Sequence, residues 1–110
     1  MTTEITDNIT FATTDKENME QSVSSILAFA ERGITTHLIL NLLSVDDINI
    51  KNLKNLKPLA KMYKKANKSL VIVCQDIDFT EVPEFINVVP TIIEANDIIA
   101  MEDIERDLGF

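Results

Sequence analysis

Glycine is almost missing from this chain: Gly33 and Gly109 are the only two in 110 residues. A loop that cradles phosphate needs several glycines close together, so the sequence argues against nucleotide hydrolysis and dinucleotide binding. There is one cysteine, Cys74, and one histidine, His37. The first excludes an internal disulfide, and the pair cannot supply the cysteine and histidine sets that hold zinc. No apolar run reaches the length of a membrane span. The opening Met1-Thr2-Thr3-Glu4-Ile5-Thr6 has neither a basic leader nor an apolar stretch behind it. A cytoplasmic protein without a cofactor and without a membrane partner is expected.

Acidic residues are missing from one segment only. Between residues 48 and 68 there is none, while Lys51, Lys54, Lys57, Lys61, Lys64, Lys65 and Lys68 are seven of the ten basic residues. The net charge of −8 therefore divides into +7 for this segment and −15 for the remainder. The overall acidity argues against direct nucleic-acid binding. A helix without acids forms no internal ion pairs, so its lysines are either a solvated face or a docking face for something acidic.

The length suits one domain, residues 1–110, with one core. Ile5, Ile9 and Phe11 around Asp7-Asn8 predict a hairpin over residues 3–13. Met19, Val23, Ile26, Leu27 and Ala30 share one helical face, predicting a helix over about 17–32 that stops at Gly33. Residues 36–43 and 70–74 are contiguous apolar runs, as expected of strands covered on both faces. Between them a helix over about 50–67 places Leu53, Leu56, Leu59, Ala60, Tyr63 and Ala66 opposite the lysines. Pro58 predicts a kink or a break near 55–57. A loop follows over 76–84, then a short strand at Val88-Val89. Thr91 and Glu94 form a capping box opening a last helix with Ala95, Ile98, Ile99 and Ile104 inward. That helix ends in an acidic tip of Glu102, Asp103, Glu105 and Asp107. The expected class is α/β, with a mixed, partly parallel sheet, an N-terminal antiparallel hairpin and alternating helices.

Few residues offer chemistry. No nucleophile motif accompanies His37, so a structural role is expected. Cys74 closes an apolar strand and reads as a buried, inert thiol. Asp46-Asp47 and Asp76/Asp78 follow strands as the acids of phospho-acceptor domains do, but no lysine follows the last strand. No catalytic residue and no metal ligand is expected.

The junction Asn41-Leu42-Leu43-Ser44-Val45 followed by Ile48-Asn49-Ile50-Lys51-Asn52-Leu53 resembles the STAS domain, the fold of bacterial anti-sigma-factor antagonists. That family shows Leu-Asp-Leu-Ser-x-Val and then Asp-Ser-Ser/Thr-Gly-Leu opening a helix. Asn49 stands where the family has aspartate, Ile50 where it has the phosphorylated serine or threonine, and Asn52 where it has a small residue. Leu53 keeps the core leucine. The stretch from Val89-Pro90-Thr91 to Leu108-Gly109-Phe110 is similar to small STAS-like proteins labelled by association with ribonuclease Z. One histidine cannot build the metal site such a nuclease needs.

The resemblance implies a non-catalytic protein-interaction module, with Asp46, Asp47, Ile48, Asn49, Ile50, Lys51, Asn52 and Lys54 as the contact patch. It implies a protein partner, anti-sigma-factor-like or RNA-processing. In the family, phosphorylation at the helix start expels the partner by its charge. Ile50 has no hydroxyl, so that switch is absent from its usual position, and Ser44 and Ser69 are displaced from it. The alternative is an accessory subunit of an RNA-processing enzyme such as ribonuclease Z, docking RNA or an acidic partner on the lysine helix.

Overall fold

A computed structural model describes residues 1–14 and 18–109. Its sheet is mixed, and its five strands lie side by side in chain order. Strands β1 (Thr2–Thr6) and β2 (Ile9–Thr13) form the antiparallel hairpin. Asp7 turns it with a φ of 55°, a left-handed conformation that aspartate tolerates better than most residues. Parallel pairing then joins β2 to β3 (His37–Asn41), β3 to β4 (Leu70–Val73), and β4 to β5 (Asn87–Val89). This is the α/β class expected, with the hairpin at one edge.

Helices cover both faces. On one side, α1 (Met19–Glu31), α2 (Ile50–Leu53) and α3 (Lys57–Lys65) pack on Ala12, Leu38, Leu40, Leu70 and Ile72. On the other, α4 (Ile92–Asp107) sets Ala95 and Ile99 against Ile39, Val71 and Val73. Alternate residues of β3 and β4 thus serve different helices, which is why residues 38–40 and 70–73 are apolar without alternation.

Local chemistry sets the boundaries. Asn18 and Gln21 cap α1 reciprocally. The expected start at Glu17 lies outside the described residues. Gly33, at φ 119°, ends α1. Strand β3 stops at Asn41, two residues earlier than its apolar run, because the Asn41 side chain accepts the Leu43 N–H at 2.9 Å and turns the chain. Leu42 stays buried; Leu43 is exposed.

Pro58 breaks the long helix rather than bending it. A 3₁₀ turn, Lys54–Leu56, separates α2 from α3, and Pro58 sits in the first turn of α3, where its missing N–H costs nothing. Leu53, Leu56, Leu59 and Tyr63 remain buried across the break. Asn67, at φ 58°, ends α3, with Lys68 N–H on the Tyr63 carbonyl and Asn67 N–H on that of Lys64.

Two expectations at α4 need correction. Thr91 does cap the helix through the Glu94 N–H at 3.2 Å, but the structure shows only this threonine half of the capping box. Ile104, expected inward, is 60% exposed. It lies five residues past buried Ile99, about 140° around the helix. The same phase turns Glu102, Asp103 and Arg106 inward. In the hairpin, Ile5 is exposed as well.

Candidate functional site

The expected contact patch lies at the carboxyl end of the strands. Asn49 caps α2, its Oδ1 accepting the Asn52 N–H at 2.8 Å. Asn52 donates through its side chain to the Asp47 carbonyl. Asp47 Oδ1 accepts the Met19 N–H at 2.9 Å, which ties the loop to the first turn of α1. A carboxylate there also complements the positive end of the α1 dipole. Ile48 and Ile50 are half-buried against the core. Asp46, Asp47, Asn49, Lys51 and Lys54 are exposed. The structure therefore places all the expected residues in one short, braced segment, and beside it Met19, Glu20, Val23, Ser24, Asp47, Asn52 and Asn55 line a cleft of about 460 Å³.

Among the described residues the lysines make no close ion pairs, although Lys64 and Lys68 share a cleft with Glu84, Glu102 and Glu105. No ion pair among the described residues involves any of the seven. Lys57 lies 5.8 Å from the centre of the Phe85 ring, a cation–π distance.

A second group of polar side chains sits at the opposite, amino end of β3 and β4. His37 is only 2% exposed. Its Nδ1 accepts the Ser69 N–H at 2.9 Å, so the ring proton is on Nε2, which lies 2.9 Å from Asp103 Oδ1. Arg106 donates to Asp103 at 2.9 Å and to the Ser69 hydroxyl at 2.6 Å. That hydroxyl donates to Glu102 Oε1 at 2.6 Å, and Asn87 donates to Glu102 Oε2 at 3.2 Å. Burial pushes the His37 pKa below its ordinary 6.5; the Asp103 carboxylate opposes this, and the charges of Arg106 and Lys68 add to it.

This group contains a serine, a histidine and an aspartate, but its wiring is not that of a nucleophile. Histidine touches the serine through the backbone N–H, not through Oγ, so it does not draw the hydroxyl proton. Arg106 and Glu102 hold that hydroxyl instead. The residues join β3, β4, β5 and α4, and Ser69, Asn87, Glu102 and Arg106 line one side of a cleft of about 360 Å³ whose lining also includes Tyr63, Lys64 and Phe85.

The sequence reading missed this group. It treated Glu102 and Asp103 as a solvated tip and His37 in isolation. The available signal was helical phase: Glu102, Asp103 and Arg106 recur on the same side as Ala95 and Ile99. Cys74 is buried, and burial raises its thiol to about 11, as expected of an inert cysteine. Among the described residues, no three His, Cys, Asp or Glu side chains are placed to hold a metal ion, and no helix is long and apolar enough to cross a membrane. The sequence matches no known protein-family model and no curated protein.

Proposed function

We propose that this chain is a non-catalytic, STAS-like interaction module that docks a protein partner through Asp46, Asp47, Ile48, Asn49, Ile50, Lys51, Asn52 and Lys54. The carrying observation is the braced junction. Asp47 and Asn52 fix the loop against α1 and α2, while Asp46, Lys51 and Lys54 stay exposed. A surface ordered before the encounter loses little entropy on binding. Further support comes from the element order, which follows the resemblance from hairpin to closing helix. Ile50, at the first position of α2, packs on the core and offers nothing to a kinase. The interaction is therefore constitutive.

The test is capture from native cell extract with wild-type protein and with the Lys51→Glu/Lys54→Glu double variant. Loss of a partner protein from the variant is expected. Undiminished capture overturns the reading. Release of the partner after phosphorylation of Ser44 overturns its constitutive part.

The unpaired lysines favour one other reading, an accessory subunit that docks RNA or an acidic partner on the outer faces of α2 and α3. Its signature is RNA binding at low salt that collapses as salt rises. No binding at low salt ends the RNA form of it.

A further inference from the structure

Helix α4 is apolar on two opposite faces, and the fold uses only one. Ala95 and Ile99 face the sheet. At about 100° per residue, Ile93, Ala100, Met101, Ile104 and Leu108 gather on the other side within about 100° of arc. All five are exposed, Ile93 at 76% and Leu108 at 66%. An arc of that width is what a helix normally presents to a core. Single exposed apolar residues are ordinary, but an aligned row along four turns marks a contact surface.

The charges beside the row are of one sign. Glu94 and Glu105 lie along one side, Asp107 along the other, and Asp97 within it. All are exposed, and none is in an ion pair. The only cation of the helix, Arg106, is turned inward onto Asp103 and Ser69.

We infer that the outer face of α4 is a docking site for a basic amphipathic helix. Such a partner would lay its own apolar row over Ile93, Met101, Ile104 and Leu108, with lysines or arginines beside the four carboxylates. A second copy of this chain fits poorly, because helix-on-helix pairing through this face sets carboxylates against carboxylates. An anionic lipid surface is disfavoured for the same reason. The surface is separate from the α2 junction, which lies over the opposite face of the sheet, so the module has two sides available to partners.

A fluorescent synthetic amphipathic helix of about three heptads, with a leucine row flanked by lysines, tests this by anisotropy against the full chain. Two control peptides carry glutamates beside the leucines, or lysines without the leucine row. Binding of the first peptide only is expected, weakening with salt. The Ile93→Ser/Ile104→Ser variant should lose about tenfold in affinity, with its far-UV spectrum unchanged. The Lys51→Glu/Lys54→Glu variant should bind the peptide undiminished, which separates this site from the α2 surface. Equal binding by the leucine-free peptide, or no effect of the serine substitutions, overturns the proposal. So does a concentration-dependent dimer that the same substitutions dissolve.

Discussion

The two ends of the sheet handle polar side chains in opposite ways. At the carboxyl end, Asn41, Asn49 and Asn52 bond to backbone groups within five residues of themselves, while Asp47 reaches to Met19, Gln75 to the Pro90 carbonyl and Thr14 to the Asn41 carbonyl. Their charged neighbours stay in water. At the amino end, His37, Ser69, Asp103, Arg106 and Glu102 bond between elements across separations from 32 residues (Ser69 to His37) to 66 (103 − 37, His37 to Asp103). Local bonds make a surface of fixed shape whose charges remain available. Long-range bonds clamp α4 to the start of two strands and use their charges up. The proposed binding surface and the structural clasp thus differ in where their hydrogen bonds go.

The sharpest way to break this contrast is at His37. His37→Ala leaves the Ser69 N–H without a partner, removes one of the two bonds to Asp103 Oδ1 and opens a void under α4. A loss of about 2–4 kcal/mol is expected in urea unfolding. A loss no larger than that of an exposed site would deny the clasp. The next effect is on pH. Because burial holds the folded-state pKa of His37 below 6.5, the unfolded chain takes up the proton more readily. Stability should hold at neutral pH and fall as pH drops through 6.5 toward the lowered folded value. Urea midpoints measured from pH about 7.5 to about 5.5 should show this slope, and His37→Gln should flatten it.

At the carboxyl end the expected costs are smaller. Asp47→Ala removes the carboxylate bond to α1 and should cost about 1 kcal/mol, while loosening the loop enough to raise amide exchange at Met19. Smallest of all, Lys51→Glu/Lys54→Glu should move the thermal midpoint by no more than about 0.5 kcal/mol equivalent, although it removes partner capture. If that pair proved as costly as His37→Ala, the distinction between surface and clasp would fail.

The same division explains what the sequence made legible. The hairpin turn at Asp7-Asn8, the stop at Gly33, the interruption (kink or break) at Pro58 and the cap at Asn49 each depend on a few adjacent residues. All can be recognised without knowing the fold. The apolar runs of β3 and β4 revealed that both faces are covered, but not which helix covers which. The clasp needed that knowledge. Ser69 meets His37 only because β4 pairs beside β3, and Asp103 meets it only because α4 lies over that face. Hydrophobicity misled at Ile104, where helical phase was the better guide: an isoleucine goes to water so that Glu102, Asp103 and Arg106 can turn in. The residues of the proposed contact patch could be named from the sequence, and the bracing of that segment by Asp47 to α1 could not.

The strands stand in the sheet in the order in which they occur in the chain. No strand has to be threaded between two that are already joined. A growing polypeptide can add each one to the edge left by the last, beginning with the hairpin, and every pairing after the first needs only the neighbour made just before it. Helix α4 follows all five strands in the chain, and among the described residues it is the helix that covers the second face. Until it arrives, Ile39, Val71 and Val73 are bare and His37 lacks its carboxylate. Assembly of the sheet is therefore stepwise, but its second face waits for α4, and removal of that helix should leave a sheet with one sticky side.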